Sequence, residues 1–233
     1  MWSYYGSKSK VVHLYPKPKH QTLIEPFAGS ARYALKYFDR DVILVDKYSI
    51  IVELWQWLQQ CSENDILNLP TLKQNETVHE FGLTENQKRL LGFVIKGGDS
   101  SPANKAGSFD GCSVDAQKNQ LKRIAKNLFK IKHWTIIHGS YQDLENQQAT
   151  WFIDPPYQFG GEHYKESNKK LNFKELAQWC QSRNGQVIVC ENTKADWLDF
   201  RPMSKMRGSI HTTTEAIWSN LPTNYDFEQT KLF

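Results

Sequence analysis

The stretch Ala149-Thr150-Trp151-Phe152-Ile153-Asp154-Pro155-Pro156-Tyr157, followed by Gln158-Phe159-Gly160-Gly161, decides how this chain is read. An apolar run that stops at an acid and two prolines predicts a buried strand ending in a rigid turn. Each proline fixes φ and removes a main-chain donor, so neighbouring carbonyls lose their ladder partners and can face a ligand. An acid, bare carbonyls and an aromatic ring then share one strand end, where open α/β sheets bind ligands. The plainer alternative is a strand-to-loop turn that happens to carry a tyrosine.

Working outward, Thr22-Leu23-Ile24 reads as a strand, Glu25-Pro26-Phe27-Ala28-Gly29-Ser30 as a tight turn, and residues 31–38 as a helix. Strand, glycine turn and helix make the first half of a nucleotide-binding unit. A single glycine is not G-x-G-x-x-G, so a carboxylate suits the helix N-terminus better than a pyrophosphate does. The next strand, Val42-Ile43-Leu44-Val45, ends at Asp46. An acid at the second strand end, about 20 residues past the turn, is placed to accept ribose hydroxyls. The alternative is the cap of a helix over residues 48–58, but position and spacing together favour the ribose reading. Further on come a strand at 134–138 followed by Gly139-Ser140-Tyr141, a helix at 171–180, a strand at 186–190 and a helical turn at 195–198. Residues 206–211 and 215–218 read as antiparallel strands joined by Thr212-Thr213-Thr214.

Between residues 61 and 133 the alternation of strand and helix is lost. Thr84 with Gln87 three residues later predicts a helix start, Lys96-Gly97-Gly98 its end, and residues 99–115 a surface loop. A basic helix is expected over residues 117–132, carrying Lys118, Lys122, Arg123, Lys126, Lys130 and Lys132. Such a face is either solvated or in contact with phosphates. The expected organisation is a core of residues 1–60 and 134–233 with an insert at 61–133.

The chain has 233 residues, enough for one large domain or a core with a smaller insertion. Hydrophobic residues at 39% and charged residues at 23% indicate a globular chain rather than a disordered one. A net charge of +4 permits a nucleic-acid partner without demanding one. Cys61, Cys112, Cys180 and Cys190 lack metal-ligand spacing and read as reduced thiols. No apolar region follows the N-terminal charges, so no signal peptide is expected, and no apolar run approaches about 18 residues, so neither is a membrane span.

A parallel sheet would bring Glu25 to Ser30, Asp46, Gly139 to Asp143 and Asp154 to Tyr157 to one edge. That edge has a ribose acceptor, a helix start and aromatic rings, but no metal set and no activated Ser or Cys. His20, His79, His138, His163 and His211 are scattered. The reaction is therefore one whose reactivity the cofactor brings, and a sulfonium methyl donor fits. An aromatic amine is a poor nucleophile because its lone pair is delocalised. Hydrogen bonds from the amine to Asp154 and to the Pro155 carbonyl would draw the nitrogen toward sp³ geometry, with Tyr157 stacked on the base. A base handled this way must leave the duplex.

In these motifs the chain resembles the Dam-type DNA adenine-N6 methyltransferases, the group whose cofactor motif precedes a target-recognition insert and then the catalytic motif. The residues that carry the resemblance are Tyr5-Gly6-Ser7-Lys8, Glu25-Pro26-Phe27-Ala28-Gly29, Asp46, Gly139-Ser140-Tyr141 and Asp154-Pro155-Pro156-Tyr157. It implies a Rossmann-like α/β methyltransferase fold, a mostly parallel sheet with an antiparallel C-terminal hairpin and a small helical insert. It implies S-adenosylmethionine as cofactor and S-adenosylhomocysteine as product, with no metal. It implies that Tyr5 and Lys8 help bind the cofactor and that Phe27 and Gly29 line its methionine part. Asp46 would take the ribose hydroxyls, and Ser140 and Tyr141 would border the adenine. Glu25, Pro26, Ala28 and Asp154 complete that expected site.

The partner implied is DNA, met by Lys118, Lys122, Arg123, Lys126 and Lys130, and residues 158–170 would close over a flipped base. A monomer or weak dimer is expected, in the cytoplasm of a bacterium or encoded by a phage and acting there, with or without a restriction partner. One departure is Ala31 or a neighbour where the family's first motif commonly has a second glycine. The rival readings are an amino-methyltransferase acting on cytosine N4, RNA or protein glutamine, a dinucleotide-dependent oxidoreductase, and a non-catalytic DNA-binding relative.

Overall fold

The structure is a computed structural model that describes residues 1–108, 112–207 and 212–222. The described strands form one sheet: β1 (Thr22–Glu25), β2 (Asp41–Asp46), β3 (Thr135–His138), β4 (Ala149–Ile153), β5 (Gly185–Asn192), β6 (Arg201–Arg207) and β7 (Thr212–Ser219). Their order is β3-β2-β1-β4-β5-β7-β6. The first five run parallel, while β7 is antiparallel to both β5 and β6. The arrangement is α/β and compatible with a Rossmann-like fold. All five residues of β4 are buried, as a central parallel strand requires. The order reverses between β1 and β4, where Leu23 pairs with Thr150 and Ile24 with Trp151. Ligands bind outside the strand ends at such a reversal.

The helices are α1 (Arg32–Lys36), α2 (Ser49–Gln60), α3 (Glu63–Leu67), α4 (Glu85–Lys96), α5 (Val114–Lys126) and α6 (Phe173–Gln181). Thr84 and Gln87 form the expected capping box of α4, and Gly97 ends it at φ 55°. The helices of the insert, α3 to α5, do not form a separate body. Phe93, Leu90, Leu121 and Ile124 share one core with Trp2, Trp55 and Leu44. Trp2 is fully buried between Trp55 (ring centroids 4.7 Å) and Phe93 (5.9 Å). Trp2 thus packs between α2 of the core and α4 of the insert. A second cluster, with Trp151, Ile153, Val187, Leu176 and Cys180, lies under α6.

Some elements depart from expectation. The first helix is only five residues, and the basic helix stops at Lys126, followed by a 3-10 turn at Leu128–Ile131. Residues 195–198 are irregular coil and a bend rather than helix. The Thr212-Thr213-Thr214 connection is instead the start of β7, paired with Arg207, Met206 and Lys205. β6 begins at Arg201 and carries Pro202 beside a register shift, which an edge strand tolerates. His211 and the rest of the strand expected at 208–211 lie outside the described residues. No described helix is long and apolar enough to cross a membrane.

Candidate functional site

The turn after β1 is tied to the end of β2. Ala28 N–H donates to the Val45 carbonyl (3.0 Å), and Gly29 N–H to Asp46 Oδ2 (3.0 Å). Asp46 Oδ1 accepts from Tyr48 N–H (2.9 Å), just before α2. Burial pushes the Asp46 carboxyl pKa up, and these two N–H donors pull it back. The ribose and capping readings of Asp46 are thus not exclusive. The helix cap position itself is Tyr48, and each oxygen of Asp46 keeps a further lone pair toward the cleft. Gly29 has φ 44°, and a Cβ there would lie 3.2 Å from the Tyr4 ring. Ala31 adopts φ 45°, the left-handed conformation that a second glycine would take. The left-handed turn is therefore made here at the strain cost of a non-glycine residue. With α1 only five residues long, the anion-binding field of a helix start is not available here.

Across the reversal, Asp154 leaves the end of β4 and meets Lys8, with Nζ to Oδ1 at 2.8 Å. Lys8 also lies 3.7 Å from Glu215 Oε1 on β7. The same Glu215 oxygen accepts from the hydroxyls of Tyr15 (2.5 Å) and Tyr157 (2.6 Å). Lys8 and Glu215 are buried, while the Asp154 side chain keeps 23% of its surface open. One ammonium thus faces two carboxylates, which leaves the buried group one negative charge in excess. Burial works against the charge of Lys8, but Asp154 and Glu215 override it and hold its pKa above the usual lysine value. Burial raises the Asp154 carboxyl to about 6, with Lys8 pulling down and Glu215 pushing up. Glu25 is raised further, to about 8, by burial, against the Ala34 N–H that donates to it (2.5 Å) and with the charge of Asp154 adding to the rise.

One cleft collects all of the expected cofactor residues. Its walls include Tyr5, Lys8, Glu25, Pro26, Phe27, Ala28, Gly29, Asp46, Ser140, Tyr141, Asp154 and Pro156, and it holds about 1180 Å³ of atom-free space, open mouth included. Ser140 and Asp143 form a capping box at the short turn that carries Tyr141. Phe27 packs on Tyr141 with ring centroids 5.5 Å apart, so it stands beside the residues expected near adenine. Pro155 and Tyr157 are not on the cleft wall. The Tyr157 ring, expected to stack on a base, carries the Lys8 ammonium 4.6 Å from its centroid.

Residues 164–167 roof the cleft: Tyr164 Oη donates to the Tyr5 carbonyl (3.1 Å). A Cβ on Gly6 would lie 2.0 Å from that hydroxyl, so only glycine admits the contact. The insert reaches this roof through one loop, where Ser100 Oγ donates to the His163 carbonyl (2.5 Å) and the Asp99 carbonyl accepts from Tyr5 N–H (3.2 Å). Among the described residues of 61–133, none lines the cleft itself.

The basic face divides. Lys118, Lys122, Arg123 and Lys126 are exposed on α5. Lys130 is half-buried, its ammonium 4.9 Å from the Phe38 ring centroid. Lys132 instead ties the insert to the core by donating to the Gln59 and Cys61 carbonyls, both at 2.6 Å. Sequence reasoning missed Glu215, Tyr15 and Arg32, whereas Tyr164 lies in the stretch 158–170 expected to close over the site. The signal for Glu215 was an acid inside a run, Glu215-Ala216-Ile217-Trp218, that otherwise reads as buried strand. Arg32 braces the N-terminal segment by donating to Ser7 Oγ (3.0 Å) and the Trp2 carbonyl (2.5 Å). All four cysteines are free and buried. No group of His, Cys, Asp or Glu that could hold a metal is present among the described residues. Neither the known protein-family models nor the curated proteins include a match to this chain.

Proposed function

We propose that this chain transfers a methyl group from S-adenosylmethionine to the N6 amine of adenine in DNA, with the target base turned out of the duplex. One observation carries this reading: Asp154 and Pro156 open onto the same cleft as Asp46 and the Glu25–Ser30 turn, where the strand order reverses. The wall chemistry suits the cofactor. Asp46 offers lone pairs to ribose hydroxyls, and Glu25, without a cationic partner among the described residues, suits an amino-acid ammonium. Tyr4, Tyr5 and Tyr164 supply aromatic surface for a sulfonium cation. The cofactor, when bound, supplies a methyl group already activated for transfer.

The remaining work falls to the chain. Asp154 Oδ accepts an amine hydrogen, localises the nitrogen lone pair and aims it in line. Positive charge then grows on that nitrogen. The excess negative charge of the Lys8, Asp154 and Glu215 group lies where that charge develops, fixed in advance of the reaction. The proton left on the methylated nitrogen passes to Asp154, whose open side lets it exchange with solvent. The exposed cations of α5 are available to phosphates. Four buried free thiols suit a reducing compartment such as the cytoplasm.

The test is incubation of the chain with labelled S-adenosylmethionine and unmethylated DNA, beside an Asp154→Ala control. Label in adenine with the wild type and none with the control is the expected result. Label in cytosine, RNA or protein would move the reading to another amino acceptor. No transfer at all, with folding and cofactor binding intact, would end it. Replacing Lys122, Arg123 and Lys126 by Ala should weaken DNA binding and flatten its salt dependence by roughly 2 to 3 units of slope. An unchanged slope would remove α5 from the interface.

A further inference from the structure

Phe159 is an apolar ring displayed on the surface, 49% exposed, two residues beyond Tyr157. Its mount is unusually firm. Gly161 folds back so closely that a Cβ there would lie 2.4 Å from the Tyr157 carbonyl, which makes residues 158–160 the apex of a tight turn. Three main-chain groups of the apex are each gripped by a buried side chain. Gln158 N–H donates to Glu191 Oε1 (2.6 Å), Asn168 Nδ2 to the Gln158 carbonyl (2.8 Å), and Asn192 Nδ2 to the Phe159 carbonyl (2.8 Å). Glu191 is fully buried and is held in turn by Trp197 Nε1 (3.1 Å) and Asn192 N–H (2.9 Å). The Gln158 side chain closes the frame in a two-way exchange with Asp196 (2.9 and 3.1 Å).

Burying a carboxylate and two amides costs free energy that these hydrogen bonds offset, and together they fix the main chain of the turn. A free loop would fold a phenyl ring down, and this frame prevents that. The position of the turn along the chain says what it faces. Asp154 and Pro156 before it line the cleft, and Tyr164 to Ser167 after it roof the cleft, so the apex lies along the chain between the wall and the roof.

We infer that Phe159 is a wedge that enters the base stack of duplex DNA and fills the gap left when the target base turns into the cleft. This rests on the proposed action on a base in DNA. Apolar side chains inserted between base steps hold a distorted duplex in this way, and a fixed ring spends no ordering entropy when it enters. The wedge is needed in proportion to how firmly the target base is paired and stacked.

The experiment compares wild type, Phe159→Ala and Phe159→Leu on three DNA substrates that carry the same adenine: fully paired, opposite a mismatch, and single-stranded. Phe159→Ala should lower kcat/KM on paired DNA by about tenfold or more, and several-fold less on the mismatched and single strands. Phe159→Leu should keep most of the activity on paired DNA. Fluorescence of 2-aminopurine at the target position should rise on wild-type binding and rise less with Phe159→Ala. Equal loss on all three substrates, or no loss on paired DNA, overturns the wedge and leaves the methyltransferase reading standing. Absence of adenine methylation by the wild type on any of the three overturns that reading and the wedge with it.

Discussion

Asp46 and Asp154 end the two strands that flank β1, and the fold holds them in opposite ways. Asp46 takes main-chain N–H groups on both oxygens, from Gly29 and Tyr48. Asp154 takes a side-chain ammonium, Lys8, which it shares with Glu215. Main-chain donors are set by the path of the chain and carry no charge that can be moved. Side-chain partners carry charge and can be exchanged without moving the backbone. Asp46 is therefore part of the scaffold as well as of the cleft, whereas Asp154 is a chemical group whose state its neighbours set.

Asparagine at each position should separate the two. Asp154→Asn should lower methyl transfer by roughly 10²- to 10³-fold, with cofactor affinity and melting temperature little changed. Asp46→Asn leaves one of two main-chain donors facing an amide NH₂, which should cost about 1–3 kcal/mol of stability and lower Tm by several degrees. It should also weaken cofactor binding. Calorimetric melting and a transfer assay on both variants read the contrast. If both lose stability alike, the distinction between scaffold and chemistry fails.

Glu25 lies between the two on β1 and sharpens the comparison, because it has one main-chain donor and no cation among the described partners. Its pKa near 8 lies above the ~4.3 of an unfolded glutamate. The folded state thus binds this proton more tightly than the unfolded state does. The stability from Glu25 is full below about pH 4 and is lost as pH rises through about 8, by on the order of a few kcal/mol. Glu25→Gln keeps an oxygen for Ala34 N–H and removes the titration. The variant should gain on the wild type steadily in Tm between about pH 4 and 8. Parallel curves would mean that Glu25 is ionised without penalty. A cofactor that brings an ammonium to Glu25 should shrink the difference, so the same melts with ligand test its role in the cleft.

Period and punctuation made the parallel strands legible, together with the two strand-end acids and the capping box at Thr84. The strands of the hairpin were legible only in outline. Thr212-Thr213-Thr214 reads as a polar connection because it carries no apolar side chain to show a strand period, and its ladder with residues 205–207 is a main-chain matter. The site was legible where residues close in sequence reach the cleft together, as Asp154 and Pro156 do. It was hidden where partners come from far apart. Tyr15 and Glu215 are 200 residues apart in the chain and 2.5 Å apart in space, and no local pattern announces that pair. The same holds for Tyr157: its sequence context suggests a free ring, and its tertiary partners take both its hydroxyl and one face.

The finest test of the comparison is Glu215→Gln. The amide is nearly isosteric, and its carbonyl still accepts from Tyr15 and Tyr157, so the packing around β7 is kept. What is removed is one negative charge. Asp154 stands near 6 because burial and the charge of Glu215 raise it while Lys8 lowers it. Without that charge the pKa of Asp154 falls, so it stays ionised to lower pH. If ionised Asp154 is the form that accepts the amine hydrogens, the acid limb of kcat/KM lies near pH 6 in the wild type and moves to lower pH in Glu215→Gln, by on the order of half a unit. Lys8→Met, which removes the opposing charge, should move the limb the other way. Asp46 offers the control, since both of its hydrogen-bond donors are main-chain N–H groups that carry no charge and that neither Glu215→Gln nor Lys8→Met touches. A limb that stays put in both variants would mean that Asp154 is not the titrating group, and that the contrast between the two aspartates lies in geometry alone.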